Sequence, residues 1–308
     1  MKQKRLEQRA WFVWLGDPRP PVTVPARPLP PPALVEILAR CALHGVLPAA
    51  VRNMNRMVKA GDVGRLLETK APRSSKECLQ DILSDATERL VPMVGRSELL
   101  RTVESELDGT LRAHGIEPIV LKGTSFADGL YPDPSLRPFT DIDILVPRAA
   151  MPDVRRTMAS SGLIPTSDIS RRHAGGYAEE RWTHPVLEGT LIELHWDLVS
   201  SPTVRKVVSL TYEDLLPLIG SDGRLSASAL LLVAAIHGTA GHGFELLQHV
   251  VDVAQAARGA AGAIDAHELL SAAKGKGQRL AVEAALLTAA LILSDRHQTD
   301  VSASHAKV

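Results

Sequence analysis

The sequence predicts an α+β protein: a central β-sheet flanked by an N-terminal and a C-terminal helical region. Three observations carry this. Short β-like runs sit in the middle of the chain, at 116–121, 140–146, 176–184 and 190–198. On both sides of that block apolar residues recur at helical spacing. The last two runs are separated by Glu188-Gly189, a hairpin-turn signal, so they read as a strand pair.

Residues 1–32 read as a proline-rich N-terminal arm. The segment DPRPPVTVPARPLPPP is too dense in proline for helix and favours extended backbone. Before it, the apolar stretch Ala10–Leu15 is too short for a signal peptide. Residues 33–87 form a helical extension, with LVEILARCALHG and VRNMNRMVKAGDVGRLLETK broken near Pro48, Gly61 and Gly64. Ser74 and Glu77 have the S-x-x-E capping form, and Leu79, Ile82, Leu83, Ala86, Leu90 and Val94 follow at helical spacing. Pro92 and Gly95 interrupt, which predicts two helices, the second being Ser97–His114 closed by Gly115.

Residues 88–222 hold the sheet and read as the central domain. Within it IEPIVL leads into Lys122-Gly123-Thr124-Ser125 and a short helix, and TDIDILV leads into a helix that ends at Gly162. Residues 223–293 form a C-terminal helical domain. It opens with SALLLVAAIHG, a buried helix expected to end at Gly238, and ELLQHVVDVAQAARG, an amphipathic one. The polar stretch 294–308 is expected to be a disordered tail.

Of the 308 residues, 45% are hydrophobic and 23% charged, enough to bury a sizeable core. Thirty-five basic and 35 acidic residues cancel, which argues against a protein held on nucleic acid by a large positive field. Two cysteines, Cys41 and Cys78, exclude a disulfide framework and fit a reducing, cytoplasmic setting. No apolar run reaches the length of a membrane span, so no membrane partner is expected.

Chemistry concentrates on the strands. Asp141 and Asp143 alternate with Ile142 and Ile144, so both carboxylates share a face, with Cα atoms about 6.6 Å apart. Two carboxylates held together repel, and a divalent cation is the usual remedy. In TLIELHWDL the residues Glu193, His195 and Asp197 share one face, and Glu193 completes a triad if its strand lies beside 140–146. Gly123 marks a strand-to-helix turn that can present backbone N–H groups and a helix N-terminus to phosphate. Thr124 and Ser125 add hydroxyls there and Lys122 a charge. Arg137, four residues before Asp141, can reach a phosphate or fix its loop through Asp133.

The string VLKGTSFADGLYPDPSLRPFTDIDILV, followed by HPVLEGTLIELHWDL, resembles an uncharacterised nucleotidyltransferase family within the polymerase-β-type superfamily. The resemblance runs from about residue 88 to residue 293. It implies a small mixed β-sheet nucleotidyltransferase core and Mg²⁺-dependent transfer of a nucleoside monophosphate from an NTP, ATP being expected. By motif, Asp141 and Asp143 would hold two Mg²⁺ ions, Glu193 would bind the catalytic metal and help activate the acceptor hydroxyl, and Gly123 with Ser125 would contact the β- and γ-phosphates. One departure is that Asp141 lies 18 positions after Gly123, and Gly123 is followed by Thr124 where the superfamily has Gly or Ser. The acceptor would be a small molecule, a peptide or a protein, with nucleic acid not expected. The alternative is a catalytically silent nucleotide-binding or scaffolding protein of the same fold.

His237, His242 and His249 stand apart from this pattern. His237 and His242 are five apart across a glycine break rather than i, i+4, so they read as packing residues, and His249 with Asp252 reads as a structural pair.

Overall fold

A computed structural model describes residues 2–68, 72–166 and 169–293. Four helices come first: α1 (Lys2–Gly16), α2 (Pro31–Leu43), α3 (Leu47–Ala60) and the one-turn α4 (Val63–Leu66). The chain's opening differs from an extended arm. Although the proline run is not helical until Pro31 and Pro32 open α2, α1 is, and it buries Trp11, Phe12, Trp14 and Leu15 in the core. The short aromatic-rich stretch is thus an anchor. Trp11 and Trp14 also donate their indole N–H groups to carbonyls of Arg27 and Pro21, which folds the proline run back over the helix.

Helix α5 spans Pro72–Ala113, 42 residues without a break. The expected division at Pro92 and Gly95 does not occur. Gly95 keeps a helical φ and costs only about 1 kcal/mol relative to alanine. Tertiary contacts hold the helix through Pro92: Ser97 Oγ accepts the Phe139 N–H at 3.0 Å, and Arg96 donates to the Thr140 carbonyl at 3.3 Å. The helix starts before Ser74, so the S-x-x-E pair does not mark its beginning.

The middle of the chain contains β1 (Ile119–Val120), α6 (Gly123–Leu130), β2 (Asp141–Leu145), α7 (Met151–Ser160), β3 (Ile164–Pro165), α8 (Ile169–Ala174), β4 (Glu179–Thr183) and β5 (Leu191–His195). The sheet is mixed, in the order β1-β2-β5-β4-β3. Strands β2 and β5 run parallel, while β1 against β2, β5 against β4 and β4 against β3 are antiparallel. The expected hairpin is present as β4 and β5.

After the one-turn α9 (Tyr212–Leu215) come α10 (Ala227–Ile236), α11 (Leu247–Ala257), α12 (Ala266–Ala272) and α13 (Gln278–Leu293). Helix α10 does not stop at Gly238. It widens into a π-turn, His237–Gly241. The stretch 294–308 lies outside the described residues.

Two hydrophobic clusters organise the fold. The larger joins α1–α3, the first half of α5, α6 and the C-terminal helices α10, α11 and α13. The N-terminal and C-terminal helical regions therefore share one core. The smaller lies under the sheet, where Ile142, Ile144, Ile192 and Leu194 meet Leu100, Val103, Leu107 and Leu111 of α5 and Met151, Val154 and Met158 of α7. At about 1.5–3 kcal/mol per buried aliphatic side chain, this apolar face fixes the register of β2 and β5 and turns the alternate residues the other way. Cys41 and Cys78 are free thiols, and burial pushes Cys41 up to about 12. Among the described residues no helix is long and apolar enough to cross a membrane.

Candidate functional site

The parallel pairing of β2 with β5 sets Asp143 directly opposite Glu193. Alternation puts Asp141, Asp143, Glu193 and His195 on the sheet face away from the smaller core. Ligand atoms of Asp143, Glu193 and His195 come within 4.8 Å of one another. Asp141 stands one step further along the same face, opposite Leu191, outside that closest group.

Asp143 is almost fully buried, and its charge is met from two sides. Lys122 Nζ lies 2.8 Å from Oδ1, and His195 Nε2 lies 3.1 Å from the same oxygen. Its other oxygen, Oδ2, is buried without a partner. Burial alone would raise the Asp143 pKa, but the Lys122 charge and the His195 hydrogen bond outweigh it and hold the carboxyl below its ordinary range. Glu193 moves the other way: burial, then the negative charge of Asp143, raises it. Asp141 is raised too, first by Asp143 and then by burial. The face therefore carries one firmly ionised carboxylate between two that take up protons more readily. Lys122 keeps its proton despite burial because Asp143 and Asp141 face it. Arg181 of β4 pairs with Glu193 at 3.1 Å.

Asp197 takes no part. Its carboxylate accepts the backbone N–H groups of Val199 (2.9 Å) and Leu210 (3.2 Å), and it is buried rather than solvated at the strand's end. It is a structural cap for the segment that leaves β5.

Asp141 and Asp143 open onto a cavity of about 530 Å³, walled also by Lys122, Gly123 and the middle of α5. Lys122 and Gly123 thus come together with the aspartates as expected. Thr124 and Ser125 do not. They face a separate groove, and both hydroxyls are engaged inside the protein, Thr124 donating to Glu104 and Ser125 to the Val120 carbonyl. Gly123 has φ +48°, and a Cβ there would lie 3.1 Å from Glu104 Oε2. Its lack of a side chain answers to the backbone and to Glu104 before any ligand is considered. Glu104, on α5, escaped sequence reasoning. Burial pushes its carboxyl up to about 7.

Arg137 borders the cavity, but its fork is bound bidentately to Asp252 of α11, both contacts 2.9 Å, and stacks over Phe126. Asp252 also accepts the Tyr131 hydroxyl at 2.7 Å. The loop-fixing partner of Arg137 is therefore Asp252, not Asp133, which instead caps Ser135. Asp252 in turn is not hydrogen-bonded to His249.

The far wall of the cavity is made by His237, His242 and His249, whose ring centroids lie 4.6, 5.0 and 4.8 Å apart. A π-turn carries more residues per turn than an α-helix, so a spacing of five returns to the same side. A spacing tested only against i, i+4 misses that. Burial, with Lys122 next for two of them, lowers all three histidines, His249 to about 4. Lys122 Nζ also lies 3.1 Å from His237 Nε2 and so stands between the two walls.

A mixed sheet that sets paired carboxylates on adjacent parallel strands, beside a glycine turn opening a helix, defines an α+β protein with an acidic cluster on one sheet face. A family profile described as uncharacterised nucleotidyltransferase matches residues 32–294. The chain belongs to that family, and the match begins well before residue 88, taking in the N-terminal helices. No curated protein and no solved structure matches the chain.

Proposed function

We propose that the protein moves a nucleoside monophosphate from an NTP, expected to be ATP, to a hydroxyl of a small-molecule, peptide or protein acceptor. The observation that carries this reading is the register pair of buried Asp143 and half-buried Glu193, with an ammonium already against Asp143. The donor set suits Mg²⁺: the ligands are carboxylate oxygens, and Asp143 Oδ2 is a buried acceptor with no partner. Asp141, Asp143 and Glu193 would hold it, as two ions on the family's pattern. When bound, the metal neutralises phosphate charge and steadies the attacking and leaving oxygens.

The chain's own groups divide the remaining work. His195 donates to Asp143 Oδ1 and fixes the orientation of that carboxylate. Glu193, with its raised proton affinity, is suited to take the proton of the acceptor hydroxyl. Lys122 supplies positive charge at the cavity floor, and α6 starts at Gly123, so a triphosphate in the cavity would meet the positive end of the helix dipole. Thr124 and Ser125 would act by holding the turn at Gly123, since their hydroxyls and their backbone N–H groups are engaged with Glu104, Val120 and Lys122. Arg137 would act by holding the loop before β2 in place.

One observation favours the silent alternative. Lys122 and His195 already satisfy Asp143 Oδ1, as they would in a protein that never takes up metal. Incubation with α-labelled NTPs, Mg²⁺ and cell extract separates the two. Transfer of label to an acceptor, abolished by chelator, is the expected result. Nucleotide binding with no labelled acceptor from any of the four NTPs would leave the silent reading.

A further inference from the structure

The histidine wall has the makings of a second site, chemically unlike the carboxylates. Imidazole nitrogens suit borderline divalent cations such as Zn²⁺, whereas Mg²⁺ prefers oxygen. An ion about 2.1 Å from one nitrogen of each of three rings, at tetrahedral angles, sets their centroids roughly 5 Å apart. The observed triangle of 4.6, 5.0 and 4.8 Å is close to that. One candidate ligand atom from each ring lies within 4.8 Å of the others, and His242 is the exposed member of the three. Three further observations point the same way. His249 Nδ1 is buried without a partner. The π-turn that aligns His237 with His242 depends on Gly238, where a Cβ would lie 2.5 Å from the Phe244 ring, and Phe244 itself is held at φ +57°. A strained φ and a π-turn beside a cavity are features that recur at functional sites.

We propose that His237, His242 and His249 form a binding site for a Zn²⁺-type divalent cation, separate from the carboxylate site. Three imidazoles leave a fourth position, and all three line the cavity that Asp141 and Asp143 also line. An anionic oxygen of whatever occupies the cavity is the ligand it would take. Lys122 Nζ now shares the His237 Nε2 lone pair, and an ion at that nitrogen displaces it onto Asp143 alone, 2.8 Å away.

The test uses tag-free full-length protein, stripped with chelator, in the absence of any nucleotide, so its outcome does not depend on the transferase reading. Co²⁺ is titrated in while the visible spectrum of four-coordinate cobalt is followed, and Zn²⁺ is then used to displace it. One equivalent of four-coordinate cobalt should form, apart from any ion the oxygen-rich carboxylate site takes, and the affinity read from that spectrum should be about tenfold or more weaker in His242→Ala and in His249→Gln but unchanged in Glu193→Gln. His242 is exposed, so that variant should keep the wild-type melting temperature without metal. Loss in Glu193→Gln with retention in the histidine variants places the ion on the carboxylates and overturns the proposal. Equal loss in both sets, or no stoichiometric binding, overturns it as well.

Discussion

On one side of the cavity, Asp141 and Asp143 sit two residues apart on a strand, with Glu193 opposite on the next. On the other, His237, His242 and His249 come from a π-turn and the helix that follows it. The sheet wall is charged and has drawn a buried ammonium to itself. The helical wall is apolar-backed, and burial keeps its rings neutral. Lys122 touches both. A regular strand places its polar residues by simple alternation, so its chemistry follows directly from the core it covers. An irregular helix places them by an interruption that only a whole fold can stabilise.

If the sheet wall alone carries the transfer chemistry, Glu193→Gln should cut turnover by a factor of about a hundred or more. NTP affinity and melting temperature should stay near wild type. Asp197→Asn, four residues further along the chain, should do the reverse, since it weakens two backbone caps and lies outside the Asp143–Glu193–His195 group. Steady-state rates and melting curves on both variants decide this, and the assignment would be falsified by near-normal transfer in the Gln variant.

The clamp between the walls should show next. Arg137→Ala strands the buried Asp252 carboxylate, and removing one partner of a buried pair costs on the order of 3–5 kcal/mol. Urea denaturation should register most of that. A loss under 1 kcal/mol would mean that the loop before β2 is held by other contacts, such as Ser97 on Phe139.

The smallest effect lies behind the glycine turn. Glu104 has its carboxyl raised by burial, so the folded state binds a proton more tightly than the unfolded chain. Its contribution is then most favourable at low pH and is lost as pH rises from the ordinary carboxylate range through about 7. Glu104→Gln should therefore stabilise the protein at pH 8 by on the order of 2 kcal/mol and give little at pH 4.5. Equal shifts at both pH values would show that Glu104 does not titrate in this window.

The sheet and its carboxylates were legible because period-2 alternation of Ile142, Ile144, Ile192 and Leu194 sets the buried face, and Asp143 and Glu193 must then take the other. The hairpin turn at Glu188-Gly189 was legible for local reasons as well. The role of His195 was open, since a strand histidine gives no sign of its partner until the parallel register is known. Long-range pairing hid the rest. Arg137 finds Asp252, 115 positions away in sequence, and Thr124 turns to Glu104 rather than to the cavity. Local breakers also misled: Pro92 reads as a stop, yet α5 is fastened on both sides of it and continues. Trp11 and Trp14 looked like part of a loose arm because nothing near them in sequence shows the helices they pack against.

That unbroken helix has a mechanical consequence. At 1.5 Å per residue, α5 is a strut about 63 Å long, with Leu79, Ile82, Leu83 and Ala86 embedded in the larger cluster and Leu100, Val103, Leu107 and Leu111 in the smaller. Neither cluster can come apart without unseating one end of the same rod. A disturbance in the N-terminal helices should thereby be felt under the sheet, and a calorimetric scan should show the two halves of the molecule melting in a single transition rather than one after the other.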